Sequence, residues 1–432
     1  MSMLVPRRGG TGDQRLGRHP SRAEDRAAEV TFRWPPPRYG VAVPPQQSND
    51  KVVTWEELFF DLAFVFALTQ FSHVLHRDQS WAGVGKALIL FVTVYWIWGG
   101  AGLYTDQRNV SMASGRLVIL TLGFGSVLLA MTIPDAYGER GLLFASTALA
   151  SRILLGLVTL RTLPRWRAFV FSPHGVVVLT GPLLLAGALS QGTVRIALWA
   201  VAAVLDVLSP WLADRTVRTI RVQPRHYAHR YGLLIILVLG ESVIQIGAAS
   251  VEEPLTAVRV LTMATGYALV AALWWTYFGY GVHTFRWALE RAEDREQAAL
   301  RRAILVYGHL LFSLAIIVIA DGLADVVMAP VELLTGAQMT RLVGGCALFL
   351  GTFTYTHWRI HRKVAWRRLG VAAACFSLLP LVALLPALAA LGLLLLLVAG
   401  LAVMEEMFRH RNATRSGGIR LEEMDRGPVT GE

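Results

Sequence analysis

The sequence predicts an all-α polytopic membrane protein of about 12 transmembrane helices, and three observations predict it. The 432 residues are 54% hydrophobic and only 16% charged, too apolar for a soluble chain. Apolar stretches of bilayer-spanning length recur along the chain. The connections between them alternate between basic and acidic, as orientation by the positive-inside rule requires.

The first stretch, Trp55 to Arg77, carries a polar stripe. With Asp61 as zero, Glu57, Ser72, Thr69, His76 and His73 fall within an arc of about 160° at 100° per residue. Ionisable groups facing hydrocarbon are costly, so the stripe is expected to look into the protein. Further spans are expected at Gly83 to Leu103, Ala113 to Ile133, Gly141 to Leu160, Gly175 to Leu189 and Thr193 to Leu212. A second set runs Tyr231 to Ala249, Ala257 to Tyr280, Ala303 to Val327, Leu342 to His357, Leu369 to Leu385 and Ala387 to Met407. Pro380 and Pro386 divide the last two, which read equally as one kinked or re-entrant hairpin.

The formal charge of +11 follows a topology pattern more closely than a nucleic-acid footprint, so no nucleic-acid partner is expected. Arginines gather at Arg161 to Arg167, Arg215 to Arg230, Arg291 to Arg302 and Arg359 to Arg368, whereas intervening loops carry Asp135, Glu139, Glu252, Glu253, Asp325 and Glu332. That alternation places both termini in the cytoplasm, with the lipid bilayer as the protein's environment. The widest basic loop sets a division into an Arg- and Pro-rich arm (1–50), a six-helix half (51–212), a linker (213–230), a second half (231–407) and a tail (408–432). The arm is expected to be disordered and cytoplasmic. Thr284 to Arg302 mixes Glu and Arg at helical spacing, the pattern of a solvated surface helix. Cys346 and Cys375 lie in separate apolar runs and give no disulfide framework.

Buried polar residues supply the candidate sites. Glu57 stands three residues after Thr54, the capping-box spacing, whereas Asp61 lies one turn deeper, about 9 Å inside the helix. By depth, Asp61, Asp206 and His309 share one level near the cytoplasmic side, where they form either a proton relay or a static hydrogen-bonded lock. Nearer the midplane, Glu241 is expected to pair with Arg152, with Asp206 as the competing partner of that arginine. Gln245 and Ser242 extend this central face as substrate or gating candidates. Towards the outer side, His73, His76 and Asp321 lie at similar depth, and two histidines do not make a metal site. Trp274 and Trp275, like Tyr95, Trp96 and Trp98, suit belt or packing roles or a stacking platform. No nucleophile elbow, zinc motif, phosphate loop or haem motif is visible, so no cofactor is expected and the balance tips away from an enzyme.

Two motifs carry a resemblance. Glu57-Leu-Phe-Phe-Asp-Leu, continuing through Phe64, Phe66, Thr69 and Gln70 to His73, and Arg230-Tyr-Gly-Leu followed by Leu239-Gly-Glu-Ser, resemble the bacterial low-temperature-requirement protein A (LtrA) family. Weaker echoes are Arg116, Leu117, Arg152, Asp206, Trp274, Trp275 and His309. The resemblance implies a bacterial inner-membrane protein whose biochemical activity is not established. Two places depart from it: Asn109 to Met112 replace an acidic cluster, and Gly279 stands where an acid often follows Tyr277 and Phe278.

The reading favoured by buried charges on opposing helices is a proton-coupled secondary transporter of an unidentified small molecule or ion. The alternatives are a membrane-embedded enzyme or lipid-handling protein in cold or stress adaptation, and a membrane sensor or scaffold.

Overall fold

The structure, a computed structural model, describes residues 51–160, 174–212, 222–251 and 254–425. The arm expected over 1–50, the arginines 161–167 and most of the linker (213–221) lie outside the described residues, and helix has already begun at Pro224. Among the described residues every regular element is helical: α1 (Trp55–Arg77), α2 (Trp81–Gln107), α3 (Ala113–Thr132), α4 (Gly141–Leu160), α5 (Val177–Leu189), α6 (Gly192–Leu212) and α7 (Pro224–Val251) come first. There follow α8 (Ala257–Thr276), α9 (Val282–Arg291), α10 (Asp294–Leu300), α11 (His309–Met328), α12 (Gly336–His361), α13 (Trp366–Ser377), α14 (Leu379–Val382) and α15 (Ala387–Asp425). Two π-helical turns, Tyr277–Gly281 and Arg301–Gly308, join α8 to α9 and α10 to α11.

Nine helices among the described residues are long and apolar enough to cross a membrane. The remaining three expected spans are not among these nine. α5 holds 13 residues, about 20 Å at 1.5 Å per residue and shorter than a bilayer core. α12 is 26 residues long but threads Arg341, His357, Arg359 and His361 among its apolar residues. The stretch Leu369 to Leu385 is broken, because Pro380 enters at the start of α14 and splits it from α13.

Helix contacts form two rings. α1 packs on α2 and α3, and the ring continues from α3 to α4, α5, α6 and back to α2. α7 packs on α8 and α11, and that ring continues from α11 to α12, α13, α15 and back to α8. The rings meet where α1 lies against α7 and α11. Glycine permits the close approach of α11 and α12: a Cβ on Gly345 would sit 2.6 Å from Ile319 Cγ1. Arginines cap exposed carbonyls at helix ends. Arg195 donates to Gly187, Ser190 and Gly138, and Arg259 donates to Pro254, Val327 and Met328.

The segment Thr284 to Arg302, expected to be a solvated surface helix, is helical but not solvated throughout. α9 buries Phe285, Ala288 and Leu289, and Arg301 and Arg302 are both buried in the second π turn. A π turn widens the helix by one residue and changes the facing of the side chains on it, which turns these two arginines inward.

Candidate functional site

Glu57, Asp61 and Ser72 of the α1 stripe face inward while His73 and His76 are exposed, and Glu57, Asp61 and Thr69 find partners on α7. Glu57 Oε2 lies 3.1 Å from His226 Nε2, and Asp61 Oδ2 accepts from Arg230 Nη1 at 2.7 Å. Further along, Thr69 donates to Glu241 Oε2 at 2.6 Å. The three contacts ascend both helices together, so α1 and α7 run parallel through the bundle.

The first layer is a closed charge network at the start of both helices. His226 Nδ1 approaches Asp106 Oδ1 at 2.9 Å while its other nitrogen faces Glu57. Both ring nitrogens thus meet carboxylate oxygens, and the three groups must share a proton between them. Arg230 also faces Glu57 at 3.4 Å and lies over the Trp98 ring, whose Nε1 donates to Asp61 at 2.9 Å. Lys51 closes the layer by donating to the carbonyls of Thr105, Asp106 and Arg108 at the end of α2. Burial lowers the Lys51 pKa, against the opposing pull of Glu57 and Asp106. Thr54 caps Glu57's amide as the spacing predicts, but the Glu57 carboxylate is spent on His226 and Arg230.

A second lock stands in the first ring. Arg152 grips Asp206 with two bonds of 2.7 and 2.5 Å and also donates to Thr180. The expected pairing of Glu241 with Arg152 is therefore corrected in favour of the competing Asp206. Matching depth did not make α4 and α7 neighbours, and the guanidinium reaches the carboxylate its own ring supplies. Asp61, Asp206 and His309 are likewise held by different partners. His309 Nε2 lies 2.5 Å from the Tyr277 hydroxyl and its Nδ1 donates to the Ile304 carbonyl in the π turn, so a neutral imidazole satisfies both contacts.

The middle layer differs. Glu241 is 0% exposed, and its carboxylate receives only the Thr69 hydroxyl and, at 2.6 Å, the Gln245 amide. Among the described residues no Lys, Arg or His forms an ion pair with it. Ser72 on α1, Ser242 beside Glu241 and Ser313 on α11 are buried hydroxyls without a hydrogen-bond partner among the described residues.

At the far end of α1, His76 Nδ1 stands 3.3 Å from Asp321 and 3.7 Å from Asp325. These three side chains place one ligand atom each within 4.8 Å of one another. Arg341 bridges both carboxylates, at 2.7 Å to Asp321, and so supplies the positive charge that a bound cation would. His73 points outward, and Trp274 and Trp275 are about half exposed beside Phe278, away from these layers.

His226, Asp106 and Arg341 are site residues that sequence reasoning misses, and Trp98, read for packing or stacking, donates to Asp61. One signal is present: His226 and Arg230 repeat on α7 the four-residue spacing of Glu57 and Asp61 on α1, which places two complementary pairs on facing helices.

An uncharacterized protein of Rhizobium meliloti (strain 1021) is 28% identical over 369 residues, covering 82% of this chain and 90% of that protein. No solved structure matches the chain. Residues 52–403 match the bacterial low temperature requirement A protein family, a span that holds every layer described above except Lys51. The chain, an integral membrane protein, belongs to the bacterial low temperature requirement A (LtrA) family.

Proposed function

We propose that this protein is a proton-coupled secondary transporter of the bacterial inner membrane, with Glu241 as the cation-exchanging group. The carrying observation is the contrast around that residue. Asp61 and Asp206 each hold a guanidinium, whereas Glu241 is fully buried among neutral donors. A carboxylate in hydrocarbon without a counter-charge is expensive, so a reversible cation, the proton foremost, neutralises it.

The two rings support an arrangement for alternating access. Each closes in the same order of helices, and their leading members α1 and α7 run parallel, as parallel repeats of six would. α7 faces α1 along a seam on which Glu57, Asp61 and Thr69 find their partners. In this reading Asp61 with Arg230 and Asp206 with Arg152 hold helices, and the Glu57, His226 and Asp106 group passes a shared proton at the cytoplasmic end. The basic loops support an orientation with both termini in the cytoplasm.

The test is proton flux into proteoliposomes carrying a luminal pH dye. Acidifying the medium should acidify the lumen faster with the wild-type protein than without protein, and Glu241→Gln should return the rate to the protein-free level. A wild-type rate equal to that of protein-free vesicles over a panel of added solutes would contradict transport. Altered lipid composition on deletion, with no flux, would favour the lipid-handling alternative.

A further inference from the structure

The turn from α12 into α13 gathers positive charge that no described acid answers. Arg359, Arg362, Lys363 and Arg367 follow one another there with no Asp or Glu between them. Among the described residues none of the four forms an ion pair. Other basic stretches do find acids: Arg225 and Arg286 both face Glu290, and Arg230 holds Asp61. The local sequence sets this turn. α12 ends without a glycine, so Arg362 itself takes the left-handed conformation (φ 55°) that reverses the chain, its amide bonded to the Trp358 carbonyl. The reversal brings the Arg359 and Arg362 guanidinium groups each to 5.8 Å from the Trp358 ring. His357 Nδ1 donates to the Lys363 carbonyl at 2.9 Å and pins the turn, leaving Arg362, Lys363 and Arg367 exposed.

Beside the turn lies a groove of about 410 Å³, walled by Tyr280, His357, Trp366 and Phe408, with Arg367 and Arg368 also in its lining. Glu405 is the one acid among its described lining residues, and it is already answered. Arg368, 3% exposed, grips it with two bonds of 2.7 and 2.8 Å and lies 4.1 Å from the Tyr280 ring and 4.6 Å from the Phe353 ring. The third guanidinium nitrogen, Arg368 Nη1, has no hydrogen-bond partner among the described residues. Arg367 lies over the Phe408 ring at 3.9 Å, and stacking uses the face of a guanidinium while leaving its N–H edge to bond an anion. Neutral pair and cationic neighbours together make this groove net positive.

Its place along the bundle defines the occupant. α15 leaves Leu396, Val403 and Met407 exposed, and α13 leaves Leu369 and Phe376 exposed, as helices that face acyl chains do. Trp358 and Trp366, 42% and 73% exposed, stand where those apolar surfaces give way to the cations, the position tryptophan takes at headgroup level. We propose that this groove binds the headgroup of an anionic phospholipid, with its phosphate toward Arg367 and the neighbouring Lys363 and its glycerol and upper acyl chain against Trp366, Tyr280 and Phe408. A free phosphate would meet the same cations, but only a lipid also covers the aromatic wall. A zwitterionic headgroup would bring a cation of its own to a rim that is already positive. Binding depends neither on the transport reading nor on Glu241.

The test uses the full chain in detergent, titrated with phosphatidylglycerol, with phosphatidylcholine of the same acyl chains, or with inorganic phosphate. Unfolding temperature and native mass spectrometry of retained lipid are the readouts. Phosphatidylglycerol should raise the unfolding temperature saturably and remain bound, because a ligand of the folded state stabilises it, and phosphatidylcholine should do neither. Arg367→Gln and Lys363→Gln, both at exposed positions that leave the core untouched, should each weaken binding about fivefold. Ala365→Leu, which places bulk in the groove with every cation intact, should also weaken it. Arg291→Gln, whose guanidinium lies over Trp287 outside the groove, should leave it unchanged. Equal binding of the two lipids by the folded wild-type protein would overturn the site, as would phosphatidylglycerol binding undiminished in Arg367→Gln and Ala365→Leu. A loss in Arg291→Gln as large as in Arg367→Gln would reduce the effect to general surface charge and overturn it too. Stabilisation by inorganic phosphate equal to that by phosphatidylglycerol would replace the lipid with a soluble anion.

Discussion

The α1–α7 seam holds two kinds of buried acid, and the difference between them separates fastening from exchange. At its start, Glu57, Asp61 and Asp106 face Arg230 and His226, with every carboxylate answered by a cation or a shared proton. About two turns beyond Asp61, Glu241 lies against α1 with only Thr69 and Gln245 for company. A charge held by a fixed guanidinium has its neutraliser built in and gains little by releasing it. A charge held by a hydroxyl and an amide must find its neutraliser elsewhere, and can let it go. The Arg152 and Asp206 pair belongs with the fastened group, and so does the Arg341 bridge over Asp321 and Asp325.

Breaking a fastened pair should have the largest effect. Arg152→Ala leaves Asp206 buried and unanswered, and is expected to cost about 3–5 kcal/mol in denaturant unfolding of the detergent-solubilised protein. Arg152→Leu with Asp206→Leu should recover most of that loss, since paired apolar replacements leave no orphaned charge. Recovery no better than the single variant would mean that the pair orders more than its two helices.

Arg341→Gln should cost less, about 1.5–3 kcal/mol, because His76 remains beside both carboxylates. It also sharpens the comparison by turning a fastened layer into an open one. With the guanidinium gone, His76, Asp321 and Asp325 present three ligand atoms to a divalent cation. Zn²⁺ should then raise the unfolding temperature of Arg341→Gln and leave the wild type unchanged. An equal rise in both would show that Arg341 does not stand in for a cation. Thr69→Val, which removes one neutral donor from Glu241, should cost about 1 kcal/mol.

Depth and periodicity were legible in the chain, and adjacency was not. The arc foretold the inward facing of Glu57, Asp61 and Ser72, though not the exposure of His73 and His76, and the recurrence of apolar runs foretold a helical membrane protein. His76 and Asp321, matched by depth, do meet. Arg152 and Glu241, matched by the same reasoning, do not, because a level in the membrane leaves open which helices touch. α4 belongs to a ring with α3, α5 and α2, whereas α7 is flanked by α1, α8 and α11. Hydropathy registers the apolar run from Leu369 to Leu385 but is blind to the break that Pro380 makes in the backbone. The π turns left no mark in the pattern either, although they bury Arg301 and Arg302 and position His309.

The central claim is that Glu241 exchanges a cation while its neighbours fasten helices. Its most direct test measures unfolding temperature and proton flux on the same preparation of Glu241→Gln, with Arg152→Ala alongside. Glutamine keeps hydrogen-bonding capacity toward Thr69 and Gln245, so the account predicts an unfolding temperature close to wild type, within about 1 kcal/mol of stability, and flux reduced to that of protein-free vesicles. A Glu241→Gln protein destabilised as severely as Arg152→Ala, with flux per folded molecule intact, would contradict it and place Glu241 among the fastenings.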